Sequence, residues 1–200
     1  MRPSLRNALI LIAAPALSTA TMAHSGVENH IHSSFLAGFV HPFVGLDHLA
    51  AMLAVGLWSA LSARRAGPEL LWGPLTFANV LMLGAMLGLQ GIALPAVEPM
   101  IAASLLVSGL LVVRRTHLPA LASTLLVGGF ALFHGVAHGL ELAHSTSAFQ
   151  TLAGMLTATA LLQATGLAIG WKLRSANVWL PRVAGGAVAA LGSAVLLQLP

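Results

Sequence analysis

Histidine and carboxylate side chains are few in this chain and unevenly placed. The stretch HPFVGLDH, residues 41–48, holds His41, Asp47 and His48. A second stretch, FALFHGVAHGLELAH, residues 130–144, holds His134, His138, Glu141 and His144. Imidazole with carboxylate is a ligand set for borderline divalent metals: nickel, zinc, cobalt or iron. His134 and His138 are four apart and Glu141 is three further on, so a helix puts all three on one face. His144 falls about 80° off that row and is a weaker candidate. In a regular helix His41 and His48 share a face but lie about 10 Å apart along the axis, too far to share one ion. Pro42 disfavours helix at His41 and predicts a break or kink there, which would shorten that distance. His41 could otherwise serve at the mouth of the site. Asp47 lies about 100° round a helix from His48, and could ligate directly or orient an imidazole. Cysteine is absent, which excludes disulfides, thiolate metal sites and cysteine nucleophiles.

The elements that carry these residues are membrane helices. Hydrophobic residues make up 58% of the 200 and charged residues 7%, against about 25% charged in a soluble domain. So little charge does not cover a water-facing surface. The net charge of +4 rests on nine scattered Lys and Arg, which form no basic patch for nucleic acid. At the start, Arg2 and Arg6 precede an apolar stretch from Ala8 to about Leu17 and then small residues. That is the pattern of a secretory signal peptide, predicted over residues 1–23 with cleavage before His24. Residues 24–33 form an external tail bearing His24, His30 and His32, read as a solvated linker before a chelator. Residues 34–200 divide into six apolar spans, near Ser34–Ala63, Glu69–Gln90, Pro95–Val113, Leu118–Leu142, Ala148–Trp171 and Val178–Leu199. Each is long enough for a hydrocarbon core of about 30 Å. The expected fold is an all-α polytopic helix bundle.

Loop charge orients it. Arg64 and Arg65 follow span one, Arg114 and Arg115 follow span three, and Lys172 and Arg174 follow span five. The breaks after spans two and four hold no Lys or Arg. The positive-inside rule then places both chain ends outside the cytoplasm, in the periplasm of a bacterial inner membrane. Both histidine stretches fall in the outer halves of their spans, with Glu98 near the same face. Ionisable residues inside spans are costly and mark pathways by default. Asn79 and Gln163, near mid-bilayer, could carry an ion onward or bond a neighbouring helix. His117 reads as a packing residue bonded to a backbone carbonyl, and the scattered methionines as packing. Glycines four apart, Gly84 and Gly88, Gly135 and Gly139, Gly166 and Gly170, allow close helix approach.

HPFVGLDHLAAMLAVGLWSA together with FHGVAHGLEL resembles the HupE/UreJ family of hydrogenase- and urease-accessory membrane proteins over essentially the whole chain. The resemblance implies a nickel permease, with cobalt in some members. It maps the first family motif onto His41, Asp47 and His48, and the second onto His134, His138 and Glu141. Glu98 falls where relatives often carry glutamate. Relatives commonly carry histidine in span five within a pattern like ATxLLHxxG; this chain has ATALLQATG, with Gln163 at that point.

The leading expectation is a permease moving Ni²⁺ inward, Co²⁺ or Zn²⁺ being possible, with no organic cofactor. The partners would be the ion, the lipid bilayer, and hydrogenase or urease maturation proteins. The rival is a membrane-embedded zinc hydrolase, with Glu141 or Asp47 as general base. A third reading is a bis-histidine haem protein.

Overall fold

The computed structural model describes residues 34–176 and 178–199. The expected signal peptide and the tail with His24, His30 and His32 lie outside these residues. Among the described residues the structure is helical and contains no strand. The helices are α1 (Phe35–Val44), α2 (Leu46–Ser62), α3 (Glu69–Leu89), α4 (Val97–Arg114), α5 (Ala120–Glu141), α6 (Ala148–Ala176) and α7 (Trp179–Gln198). Helices α3 to α7 are each long and apolar enough to cross a membrane. Their outward faces carry large exposed apolar side chains, among them Leu75, Leu83, Leu125, Phe149 and Leu161. Lipid is the solvent that makes such a surface stable, and helices satisfy their own backbone polar groups within it.

The first expected span is two helices. α1 and α2 meet at an 84° bend and together have the length and composition of one broken span. The break is not at Pro42, as the sequence predicts, but three residues later, at Gly45. Pro42 lies buried inside α1. A proline costs a helix one backbone bond, and α1 tolerates that loss. Gly45 leaves the helical region, at φ −82° and ψ 110°, and serves as end of one helix and start of the next. Ser34 starts α1, its Oγ accepting from the Ala37 N–H at 3.3 Å.

α2 is the central helix. Met52, Ala54, Val55, Trp58 and Leu61 form its part of a core shared with Phe77 and Leu81 of α3, Val112 of α4, and Val127 and Ala131 of α5. Its backbone packs most closely on α6, while α3 pairs with α5 and α4 with α7. Glycines explain the pairings. A methyl group on Gly135 would strike the Leu81 carbonyl, and one on Gly139 the Ala85 carbonyl. Gly84 and Gly88 face them across the same crossing. Gly166 sits equally close to the Leu53 carbonyl of α2. Small residues spaced by four thus bring backbones into contact where no water is available to drive association.

The basic loops converge at one end of the bundle. Arg174 Nη2 donates to the Ala63 carbonyl at 2.8 Å, and Arg115 Nη1 to the Arg174 carbonyl at 3.2 Å. The ends of α2, α4 and α6 are tied together there. The start of α2 and the end of α5 lie at the opposite end.

Candidate metal centre

At that opposite end, three helices each supply an imidazole. His41 comes from the last turn of α1, His48 from the first turn of α2, and His138 from the last turn of α5. One ligand nitrogen from each lies within 4.8 Å of the other two. The ring centroids are 5.5 Å apart for His41 and His48, 5.0 Å for His41 and His138, and 4.7 Å for His48 and His138. The bend at Gly45 makes this possible. It folds α1 back so that residues seven apart in sequence become neighbours. His48 and His138 are buried, while His41 is exposed at the mouth.

Carboxylates hold two of the rings. His48 Nδ1 lies 2.9 Å from Asp47 Oδ1, which also accepts from the His48 backbone N–H at 2.9 Å. His138 Nδ1 lies 3.3 Å from Glu141 Oε2. An ionised carboxylate only accepts, so each Nδ1 must carry the proton and donate it. Each Nε2 is then left as a lone pair. His48 Nε2 is buried and has no hydrogen-bond partner. A buried lone pair without a donor, on an imidazole anchored by a carboxylate, is the arrangement of a metal-ligating histidine. Neither carboxylate belongs to the group of three; Asp47 and Glu141 instead bond the rings of His48 and His138.

His134 stands one helical turn before His138, so about 6 Å further into the bundle. It is fully buried. Its ring lies 5.5 Å from His48 and 5.7 Å from Phe77. Ser104 of α4 approaches it: Oγ is 3.0 Å from His134 Nε2 and donates its own proton to the Ile101 carbonyl at 2.6 Å. The serine proton is thus committed, so His134 Nε2–H donates to Ser104. His134 Nδ1 becomes the free lone pair, and it too is buried without a partner. Sequence reasoning missed Ser104. Its signal was faint: AASLLVSGLL places Ser104 and Ser108 four apart in an otherwise apolar helix.

The other predicted residues fall elsewhere. Glu98 is exposed in the first turn of α4, and His144 is exposed in the turn after α5; neither joins the group. Asn79 faces outward and donates from Nδ2 to the Leu75 carbonyl of its own helix at 2.7 Å. It therefore bonds neither a neighbouring helix nor the site, because a local carbonyl four residues back is nearer than any partner. Gln163 is buried, and its Nε2 has no partner among the described residues. His117 bonds a backbone carbonyl as expected, its Nδ1 donating to the Ser62 carbonyl at 3.1 Å.

A family model described as HupE / UreJ protein matches residues 11–195. The chain belongs to the HupE/UreJ family. It is similar to Protein HupE of Rhizobium leguminosarum bv. viciae, 41% identical over 184 residues, which cover 91% of this chain and 94% of that protein. No solved structure matches. Membership in the HupE/UreJ family and the apolar helices together make this a multi-pass accessory membrane protein of the hydrogenase/urease kind.

Proposed function

We propose that this HupE/UreJ protein is a permease carrying Ni²⁺ from the periplasm into the cytoplasm of a bacterium, for hydrogenase or urease maturation. The observation that carries the reading is the meeting of His41, His48 and His138 from three helices, with ligand atoms within 4.8 Å. Imidazole nitrogens suit nickel, cobalt and zinc alike. One ligand sits at the mouth and two are buried, so an arriving ion exchanges its water stepwise as it enters. His134 offers the next lone pair inward. The membrane potential is worth about 2.3 kcal/mol per charge per 100 mV, which favours inward movement of a dication without nucleotide hydrolysis.

The zinc hydrolase reading needs a carboxylate free to act as base. Asp47 and Glu141 both accept hydrogen bonds from the imidazoles they hold, which favours transport. The test is uptake of radioactive Ni²⁺ by cells with Co²⁺ and Zn²⁺ as competitors. His138→Ala is expected to lower nickel uptake at least about tenfold, as loss of a metal contact does. Unchanged uptake, with normal amounts of protein in the membrane, would overturn the reading.

A further inference from the structure

A cavity of about 190 Å³ opens at the basic end of the bundle, where α2 ends and α3 and α5 begin. Trp58, Ser59 and Ser62 of α2, Glu69 and Gly73 of α3, and His117 line it. His48 and Ser59 are eleven residues apart on α2, so this cavity lies about 16 Å along that helix from the histidine cluster. It is a separate place with its own chemistry.

Two polar atoms there lack partners. Ser59 is 4% exposed, and its Oγ has no hydrogen bond. Glu69 Oε2 is buried and has none either, and Glu69 forms no ion pair among the described residues. The start of α3 favours a negative charge through the helix dipole, which accounts for a carboxylate at that end. It does not account for a buried carboxylate oxygen and a buried hydroxyl that both lack partners, on two residues from different helices that line one cavity. Buried polar groups normally find partners, and these two have none. Gly73 keeps the space open: a methyl group there would come within 2.6 Å of Ser59 Oγ. His117 is fixed at the rim by its bond to the Ser62 carbonyl. With Nδ1 donating, its Nε2 is a lone pair.

Between the two ends lies a second, much smaller void of about 10 Å³, bordered by Val55 and Trp58, Phe77, and Ser104 and Ser108. That is about the lower limit for one water molecule. Ser104 joins this void to His134, and Trp58 borders both void and cavity. The Trp58 Nε1–H donates to the Thr116 carbonyl at 2.9 Å, which fixes the indole between void and cavity. Ser104 thus leads from His134 to the void, and Trp58 stands between the void and the cavity.

We propose that the cavity is a second cation station, where Glu69, Ser59 and His117 hold a partly hydrated divalent cation between Trp58 and the basic face. A volume of about 190 Å³ leaves room for a cation with several waters, each needing about 10–15 Å³ of such space. Carboxylate, hydroxyl and one imidazole bind less tightly than three imidazoles, which suits a station that releases its ion. The station rests on the reading that the chain conducts a divalent ion.

The test titrates Ni²⁺ alone into the purified full chain in detergent, by equilibrium dialysis, and measures Ni²⁺ uptake by proteoliposomes. Glu69→Gln is expected to lose one bound equivalent, to keep the equivalent that depends on His138, and to slow uptake about tenfold, a change worth about 1.4 kcal/mol. Glu69→Gln that binds as many equivalents as the unsubstituted chain, with equal affinity, overturns the station. Should Glu69→Gln fail to fold, Ser59→Ala replaces it: inner-site affinity falls if the station exists, and an unchanged value overturns it. The two readings fail separately. If His138→Ala removes an equivalent and neither inner variant does, the permease reading stands and the station falls. If only the inner variants remove one, the station stands and the role of the histidine cluster falls.

Discussion

At the scale of single residues, Asp47 and Glu141 each hydrogen-bond the ring of a clustered histidine. The Asp47–His48 pair is short, 2.9 Å, with side chains 23% and 10% exposed. The Glu141–His138 pair is longer, 3.3 Å, and the Glu141 side chain is 54% exposed. Water competes for the second carboxylate far more than for the first, so the first orients its imidazole more firmly. Asp47→Ala is therefore expected to weaken Ni²⁺ binding by about 10–100-fold, and Glu141→Ala by less. Equilibrium dialysis of the two variants checks the order, and a larger loss from Glu141→Ala would contradict it. The sequence left two roles open for Asp47. Its hydrogen bonds to the backbone and ring of the adjacent His48 favour the orienting one.

At the scale of elements, Gly45 decides whether the site exists. A straight helix through residues 35–62 would hold His41 and His48 about 10 Å apart; the 84° bend brings their rings to 5.5 Å. A side chain on Gly45 would begin 3.0 Å from Asp47 Oδ1 and 3.2 Å from His48 Nδ1. Gly45→Leu is thus expected to displace the Asp47–His48 pair and reduce Ni²⁺ uptake severalfold at least, a cost of the order of 1 kcal/mol. Pro42→Ala restores a backbone donor inside α1 without touching the break, and uptake should stay near the unsubstituted level. Transport assays on the two variants locate the hinge; the opposite pattern would return it to Pro42. Proline was the legible signal in the sequence, because its missing N–H is a local property. Gly45 was not legible, because a glycine that must stay small to clear a neighbouring pair looks like any other glycine in a membrane helix.

At the scale of the whole molecule, the chain has two chemically different ends. His41, His48, His134 and His138 gather with Asp47 and Glu141 at one, and arginines at the other, where Arg174 and Arg115 bond across helix ends. Positive loops favour the cytoplasm, so the histidine end should face the periplasm. The natural absence of cysteine makes this directly measurable. Thr146→Cys, beyond α5, should react in whole cells with a maleimide that crosses the outer but not the inner membrane. Arg65→Cys, beyond α2, should react only after the inner membrane is opened. Reversed labelling would invert the direction of transport assigned to the site.

Composition and loop charge by themselves determined that this chain is a helical membrane protein, and which ends of its spans are polar. They suffice because insertion into lipid is decided span by span, by hydrophobicity summed along each segment. The helical row of His134, His138 and Glu141 was legible for the same reason: spacing within one helix is set by its pitch. Only the tertiary structure decided which imidazoles meet. His138 belongs with His41 and His48, while His134 turns to Ser104, because those partners come from different helices whose approach depends on a bend and on glycine contacts. The cavity at Glu69 was likewise invisible in the sequence. No local pattern shows that Ser59 and Glu69, ten residues apart across a helix break, line the same cavity with a partnerless buried oxygen each.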